Sequence, residues 1–151
     1  MDLVELLMVE HGIFKVRFMY LTKLSDNEFW EEFAKIHDFI INVHAKMEDL
    51  YVFPLAPDLA KPFAADHKLI EKFGSYLMST RDRDRFERYV ATVTYHNDHE
   101  ETDLFPKIGT VETRMDVIRN YGIDRYRAIT GINIEALISR TGGTYQKTNK
   151  E

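Results

Sequence analysis

An all-α protein, built as an up-down-up-down four-helix bundle with a C-terminal helical extension, is predicted by three observations on the 151-residue sequence. Apolar residues recur at helical spacing in four long stretches, only a few residues connect one stretch to the next, and each stretch carries a histidine within its apolar stripe. Short connections imply antiparallel neighbours.

The elements follow in order. Val4, Leu7, His11, Phe14, Phe18 and Leu21 step by three and four, which predicts a first helix over residues 2–22. Ser25-Asp26-Asn27-Glu28 has the form of a capping box and opens a second helix. Its stripe is Trp30, Phe33, His37, Ile40, His44, Met47 and Tyr51, with Glu48 at the edge, and Pro54 ends it. Pro62 suits the first turn of a third helix, with Phe63, His67, Ile70, Gly74 and Leu77 facing inward. The fourth carries Phe86, Tyr89, Val93, His96, Glu100 and Asp103 inward, and Pro106 closes it. At the depth of the shared histidine layer, His11 fits least well.

Composition narrows the chemistry. With 44% hydrophobic and 30% charged residues, the chain has the balance of an ordinary globular domain. It has no cysteine, which excludes disulfides, thiolate nucleophiles, iron–sulfur ligation and Cys-type zinc sites, so any metal must be held by histidine and carboxylate. No apolar run is long enough to cross a membrane, and Met1 to Val9 lacks the basic lead of a signal peptide; a cytoplasmic location is expected. The overall charge of -5 is uneven. Residues 1–106 hold 20 acidic and 12 basic side chains, net -8, whereas residues 107–151 hold 5 and 8, net +3. The expected division is therefore a bundle over 1–106 and a short basic helical extension over 107–151.

One motif occurs twice. His44-x-x-x-Glu48 and His96-x-x-x-Glu100 each pair an imidazole with a carboxylate at i and i+4, and each is followed by Phe-Pro, at Phe53-Pro54 and Phe105-Pro106. On a helix, i and i+4 stack on one face. A lone buried histidine reads most simply as a core residue, but four of them at compatible depth, two with a carboxylate beside them, point to metal. Buried carboxylates are costly unless paired with a cation. Four imidazoles and two carboxylates exceed a tetrahedral zinc and suit two iron or manganese ions bridged by the carboxylates. The candidate ligands are His11, His44, Glu48, His67, His96 and Glu100.

The order His11, His44-x-x-x-Glu48, His67, His96-x-x-x-Glu100 resembles the hemerythrin-like HHE cation-binding family over residues 1–106. The resemblance implies a non-haem di-iron centre with an oxygen or hydroxide bridge, Glu48 and Glu100 as bridging carboxylates, and the four histidines as terminal ligands. Two departures from the oxygen-carrying members stand out. Their third helix has a second histidine where Glu71 stands here, and their last helix pairs His with Asp five apart, where this chain has His96 and Glu100.

Other residues carry two readings each. Glu71 is either a seventh ligand or a solvated face residue, His37 a gate near the metals or a hydrogen-bonded core histidine. His99 is expected on the surface or just behind the ligands, with direct ligation the alternative. Asp103, Tyr51 and Tyr95 are candidates to hydrogen-bond ligands, with core packing the alternative for the tyrosines. In the extension, helices are expected over Val111–Tyr121, Asp124–Thr130 and Ile134–Arg140, and disorder over Gln146–Glu151. Arg127 to Asn133 followed by Ala136 to Arg140 has the form of a helix-turn-helix, and equally of a helical pair packed on the bundle or on a second subunit.

The functional expectation is a protein using two iron ions, with manganese or zinc as alternatives, to bind, sense or reduce a small diatomic or peroxidic ligand: oxygen, nitric oxide or hydrogen peroxide. The alternatives are a metal- or redox-responsive DNA-binding regulator working through the tail, and iron storage. A homodimer is a further candidate assembly, and no membrane partner is expected.

Overall fold

The computed structural model describes residues 1–141, and the expectation of disorder over Gln146–Glu151 lies outside them. Seven α-helices and no β-strand form among the described residues, and no helix there is long and apolar enough to cross a membrane. The first, α1 (Leu3–Leu21), is capped by Asp2, whose carboxylate accepts the amide of Val4. Next, α2 (Asp26–Phe39) begins after Ser25 as expected, but no capping box forms. The Ser25 hydroxyl, which in a capping box would accept from the Glu28 amide, donates instead to the Glu28 carboxylate at 2.8 Å.

Helix α3 (Pro57–Thr80) starts five residues earlier than Pro62 suggests. Pro57 takes the first helical position, where the missing amide costs nothing, whereas Pro62 lies inside the helix and leaves the carbonyl of Asp58 without its usual amide partner. Helix α3 ends at Arg81 in the left-handed conformation (φ 52°), and α4 (Phe86–His99) follows one short turn. α1 packs on α2, α2 on α3, α3 on α4 and α4 on α1, a closed ring of neighbours. Leu6, Leu7, Phe14, Phe29, Phe33, Phe39 and Leu77 fill its interior at 0–1% exposure.

Neither α2 nor α4 runs as a plain α-helix into its Phe-Pro stop. The second helix continues through π-helical turns at Ile40–Ala45 and Glu48–Val52, the fourth through one at Glu100–Leu104. A π turn holds about one residue more than an α turn, so the inward face moves on by one position. Val52 and Leu104 are therefore fully buried, whereas Tyr51 is half-buried and Asp103 exposed, contrary to the inward placement expected of both.

The extension folds onto this body. Val111 to Thr113 lie extended rather than helical, because they pair with the N-terminus: Leu3 N–H donates to Val111 O at 2.7 Å and Thr113 N–H to Met1 O at 3.1 Å. Three short helices follow, α5 (Asp116–Tyr121), α6 (Ile123–Thr130) and α7 (Ile134–Thr141). Gly122 (φ 118°) and Gly131 (φ 75°) make the turns between them in conformations that favour glycine. Ile118, Tyr126 and Ile134, all at 0% exposure, join the same hydrophobic core as the long helices. Arg17 of α1 clasps the turn, its guanidinium donating to the carbonyls of Ala128 and Ile129 at 2.7–3.0 Å.

Because Ile118 belongs to that common core, Ile118→Ala is expected to cost about 2–5 kcal/mol. Chemical denaturation should show one transition shifted as a whole. An unchanged main transition preceded by a separate small one would mean that the extension unfolds independently.

Candidate metal centre

The structure brings all six candidate residues together at the centre of the ring. His11 comes from α1, His44 and Glu48 from the π turns of α2, His67 from α3, and His96 and Glu100 from α4 and its π turn. All six are buried, the two glutamates completely. They form two groups, His11 with His44 and His67 with His96, each completed by Glu48 and Glu100. The poorer depth match of His11 does not separate it, for its Nε2 lies 3.2 Å from Nε2 of His44.

Each carboxylate serves both groups. Glu48 directs Oε2 toward His44 Nε2 at 3.3 Å and Oε1 toward His67 Nε2 at 2.9 Å. Glu100 directs Oε1 toward His11 Nε2 at 3.3 Å and Oε2 toward His96 Nε2 at 3.1 Å. Of these approaches only that of Glu48 to His67 has hydrogen-bond geometry. Glu48 Oε2, both oxygens of Glu100 and His96 Nε2 are thus buried without a hydrogen-bond partner. Groups so placed cost stability unless a cation takes them up, and nitrogen and oxygen donors at this density fit a divalent metal.

No protein-family model, curated protein or solved structure matches this chain. The functional reading therefore stands on the residues.

Sequence reasoning missed what holds the imidazoles. Every Nδ1 is bonded to a carboxylate: His44 to Glu10 at 2.7 Å, His67 to Asp49 at 3.0 Å, His96 to Asp66 at 3.0 Å and His11 to Glu101 at 2.6 Å. A carboxylate only accepts, so the Nδ1 positions carry protons and the Nε2 positions face the centre. The four links form a cycle, in which α1 holds the histidine of α2, α2 that of α3, α3 that of α4, and α4 that of α1. The available signal is adjacency: Glu10-His11, Glu48-Asp49, Asp66-His67 and Glu100-Glu101 each put an orienting carboxylate beside a candidate ligand. Glu10 is itself fully buried and accepts from the Tyr126 hydroxyl at 2.5 Å, so α6 of the extension braces the α1–α2 link. Burial and the Glu10 charge push the Tyr126 phenol up, which keeps it a donor.

The aromatics of the Phe-Pro stops close the centre. Phe105 stacks on His11 and Phe53 on His67, with ring centroids 5.9 Å and 5.1 Å apart. Glu71 is exposed and stands outside both groups, and its place is on the solvated face. His99 stacks on exposed Tyr95 and bonds its backbone carbonyl, so neither residue reaches a ligand. Tyr51 bonds Asp116 of the extension. His37 is buried and bonded to Tyr89, away from the six.

Without a cation, protons occupy the centre. Burial opposes charge on His44 but is outweighed by the nearby Glu48 charge and the bond to Glu10, which hold it up at about 10. His67 likewise reaches about 10, burial being outweighed by Asp49 and Glu48. His96 is raised by Glu100 against the effect of burial. In His11 burial prevails, reinforced by the charge of His44, and its basicity falls. The two thus complement each other: neutral His11 accepts at Nε2 from protonated His44. Burial would raise Glu48, but the His44 and His67 charges hold it well below the ordinary range.

The sign of the pH dependence follows. A histidine raised from 6.5 to about 10 on folding contributes stability that is complete below 6.5 and lost as pH climbs toward 10. The chelator-treated protein should therefore melt at progressively lower temperature across that interval, and His67→Gln should flatten the decline. A melting temperature that rises from pH 7 to 10 would contradict the proton-filled centre.

Proposed function

We propose that the chain is a non-haem dinuclear metal protein of the hemerythrin-like kind, an up-down-up-down four-helix bundle that binds, senses or reduces dioxygen, nitric oxide or hydrogen peroxide. The observation that carries this reading is the pair of fully buried glutamates, each offering one oxygen to each histidine pair. Two iron ions are the proposed metals, with manganese or zinc as alternatives that the same donors accept.

In this reading His11 and His44 would hold one metal and His67 and His96 the other, with Glu48 and Glu100 within reach of both pairs. When bound, the metals supply the redox equivalents and Lewis acidity that such ligands require. The residues of the chain do the rest. Glu10, Asp49, Asp66 and Glu101 keep each Nδ1 protonated, so that the Nε2 lone pairs stay available and aimed inward. Phe14, Phe53, Phe63 and Phe105 pack against the imidazoles and keep water from them. His44 and His67 would have to give up the protons at Nε2 to hold a metal, so binding would release protons.

A nucleic-acid role for the extension gains no comparable support. Tyr126 and Ile129 of α6 are committed to the core, Arg125 pairs with Asp38 and stacks on Tyr121, and Arg127 pairs with Asp124.

Protein purified without oxygen should contain about two irons per chain and develop a near-ultraviolet band as air is admitted. Glu100→Ala and His96→Ala should each remove most of the metal, and His99→Ala should retain it. At most one metal per chain in the unaltered protein, or loss of metal in His99→Ala with retention in His96→Ala, would overturn the assignment.

The orienting carboxylates give a second test. Asp66→Asn or Glu10→Gln should weaken metal binding about 10–100-fold with the fold intact, as measured by competition with a chromogenic chelator. Tyr126→Phe should act in the same direction and less strongly, since it removes a brace one step further out. Unchanged affinity in both carboxylate variants would show that the ring does not tune the ligands.

A further inference from the structure

Tyr89 and His37 form a polar pair in the middle of the aromatic core. Tyr89 is fully buried, edge-on to Phe18, Phe33 and Phe73, and its hydroxyl lies 2.7 Å from His37 Nδ1. The fully buried Tyr89 phenol makes no other hydrogen bond among the described residues, so its O–H donates to Nδ1. Nε2 therefore carries the proton, and bare Nδ1 accepts from the phenol. The surroundings are shaped for this ring: a Cβ on Gly74 would fall 2.0 Å from His37 Cε1. A glycine inside α3 costs about 0.5–1 kcal/mol against alanine, so a packed helix is weakened to admit the histidine.

The position is as telling as the pair. Tyr89 stands seven residues before His96 and His37 seven before His44, two turns along the same helices, so both lie about 10 Å from the candidate ligands. On its other side His37 borders a cavity of about 190 Å³ lined also by Asp38, Asn42, Glu71 and Ser75, which gives its proton a polar outlet. Burial lowers His37 to about 4, against the Glu71 carbonyl and Asp38, so it is neutral at neutral pH and its Nδ1 lone pair is free to take a proton from an oxidised phenol. Burial raises the Tyr89 phenol, which cannot shed its proton to water.

We infer that Tyr89 and His37 are a proton-coupled one-electron relay serving the metal centre, with Tyr89 giving the electron and His37 Nδ1 taking the proton. The inference rests on the reading of the six-residue cluster as a redox centre. In the step, the Tyr89 O–H bond breaks and an N–H bond forms on His37. One electron leaves for the centre, and a neutral tyrosyl radical beside an imidazolium remains. A thiolate then returns the electron, and His37 returns the proton. With hydrogen peroxide as oxidant, two turnovers supply two electrons, which with two protons from solvent give two waters, while two thiolates end as one disulfide.

Two arms test this. In the first, the metal-free protein is oxidised by flash photolysis with a soluble ruthenium photo-oxidant, and the tyrosyl radical is followed by absorption and electron paramagnetic resonance. The signal read is the difference between the unaltered protein and Tyr89→Phe, since exposed Tyr20, Tyr76 and Tyr95 are oxidised in both; the expected result is a Tyr89 component that forms about 100-fold more slowly in His37→Phe, the usual cost of losing a positioned proton acceptor. Gly74→Ala, which displaces the imidazole, should repeat the His37→Phe result, and formation in the unaltered protein should slow in deuterated water. A purely structural pair would leave radical yield and isotope effect unmoved by these variants, which would overturn the inference.

In the second arm, iron-loaded protein is mixed with hydrogen peroxide and freeze-quenched. A radical lost in Tyr89→Phe at unchanged iron content supports the relay. Iron bound with no radical at Tyr89 overturns the relay alone, whereas failure to bind iron, read directly as metal content, overturns the centre and the relay together.

Discussion

Two carboxyl groups placed where water cannot reach them govern this structure. Glu48 and Glu100 sit at the middle of the ring of helices with three of their four oxygens outside any hydrogen bond. An interior of low polarity makes such groups expensive, and the chain compensates by surrounding them with four imidazoles. In the absence of metal the imidazoles answer with protons, so charge balance is met either way. On the proposed reading, a metal-filled centre would be the alternative to a proton-filled one as the solution to a single electrostatic requirement.

The requirement also explains the backbone. A straight α-helix through His44 and Glu48 would carry Tyr51 inward, and one through His96 and Glu100 would carry Asp103 inward. The π turns add a residue and bring Val52 and Leu104 to those places, so the layer beneath the carboxylates is apolar and a third pair of polar side chains is kept out. Wide turns are uncommon, and here they occur at both copies of the motif.

Much of this was legible in the sequence, for identifiable reasons. Spacing by three and four located the long helices, and the i, i+4 pairs located the buried histidine–carboxylate cluster, because both signals are local. The all-α class emerged from the same periodicity. The π turns left no such trace, since a one-residue widening is invisible in a hydrophobic pattern. The orienting carboxylates were hidden by their exposure: Asp49, Asp66 and Glu101 keep 48%, 41% and 32% of their side-chain surface and read as ordinary solvated residues. The extended stretch around Glu112 was mistaken for helix because its partner, the segment around Asp2, lies at the far end of the chain. The depth of His11 looked doubtful because counting residues assumes parallel axes and uniform rise.

The cycle of carboxylates repeats after half a turn. Glu10 to His44 and Asp66 to His96 are links within the first and second helix pairs, and Asp49 to His67 and Glu101 to His11 are links between the pairs. Each half of the bundle therefore donates one link to itself and one to the other. Two copies of a single half, related by a twofold axis, would satisfy the same four bonds, so the arrangement has the logic of a symmetric dimer whose subunits have been joined end to end.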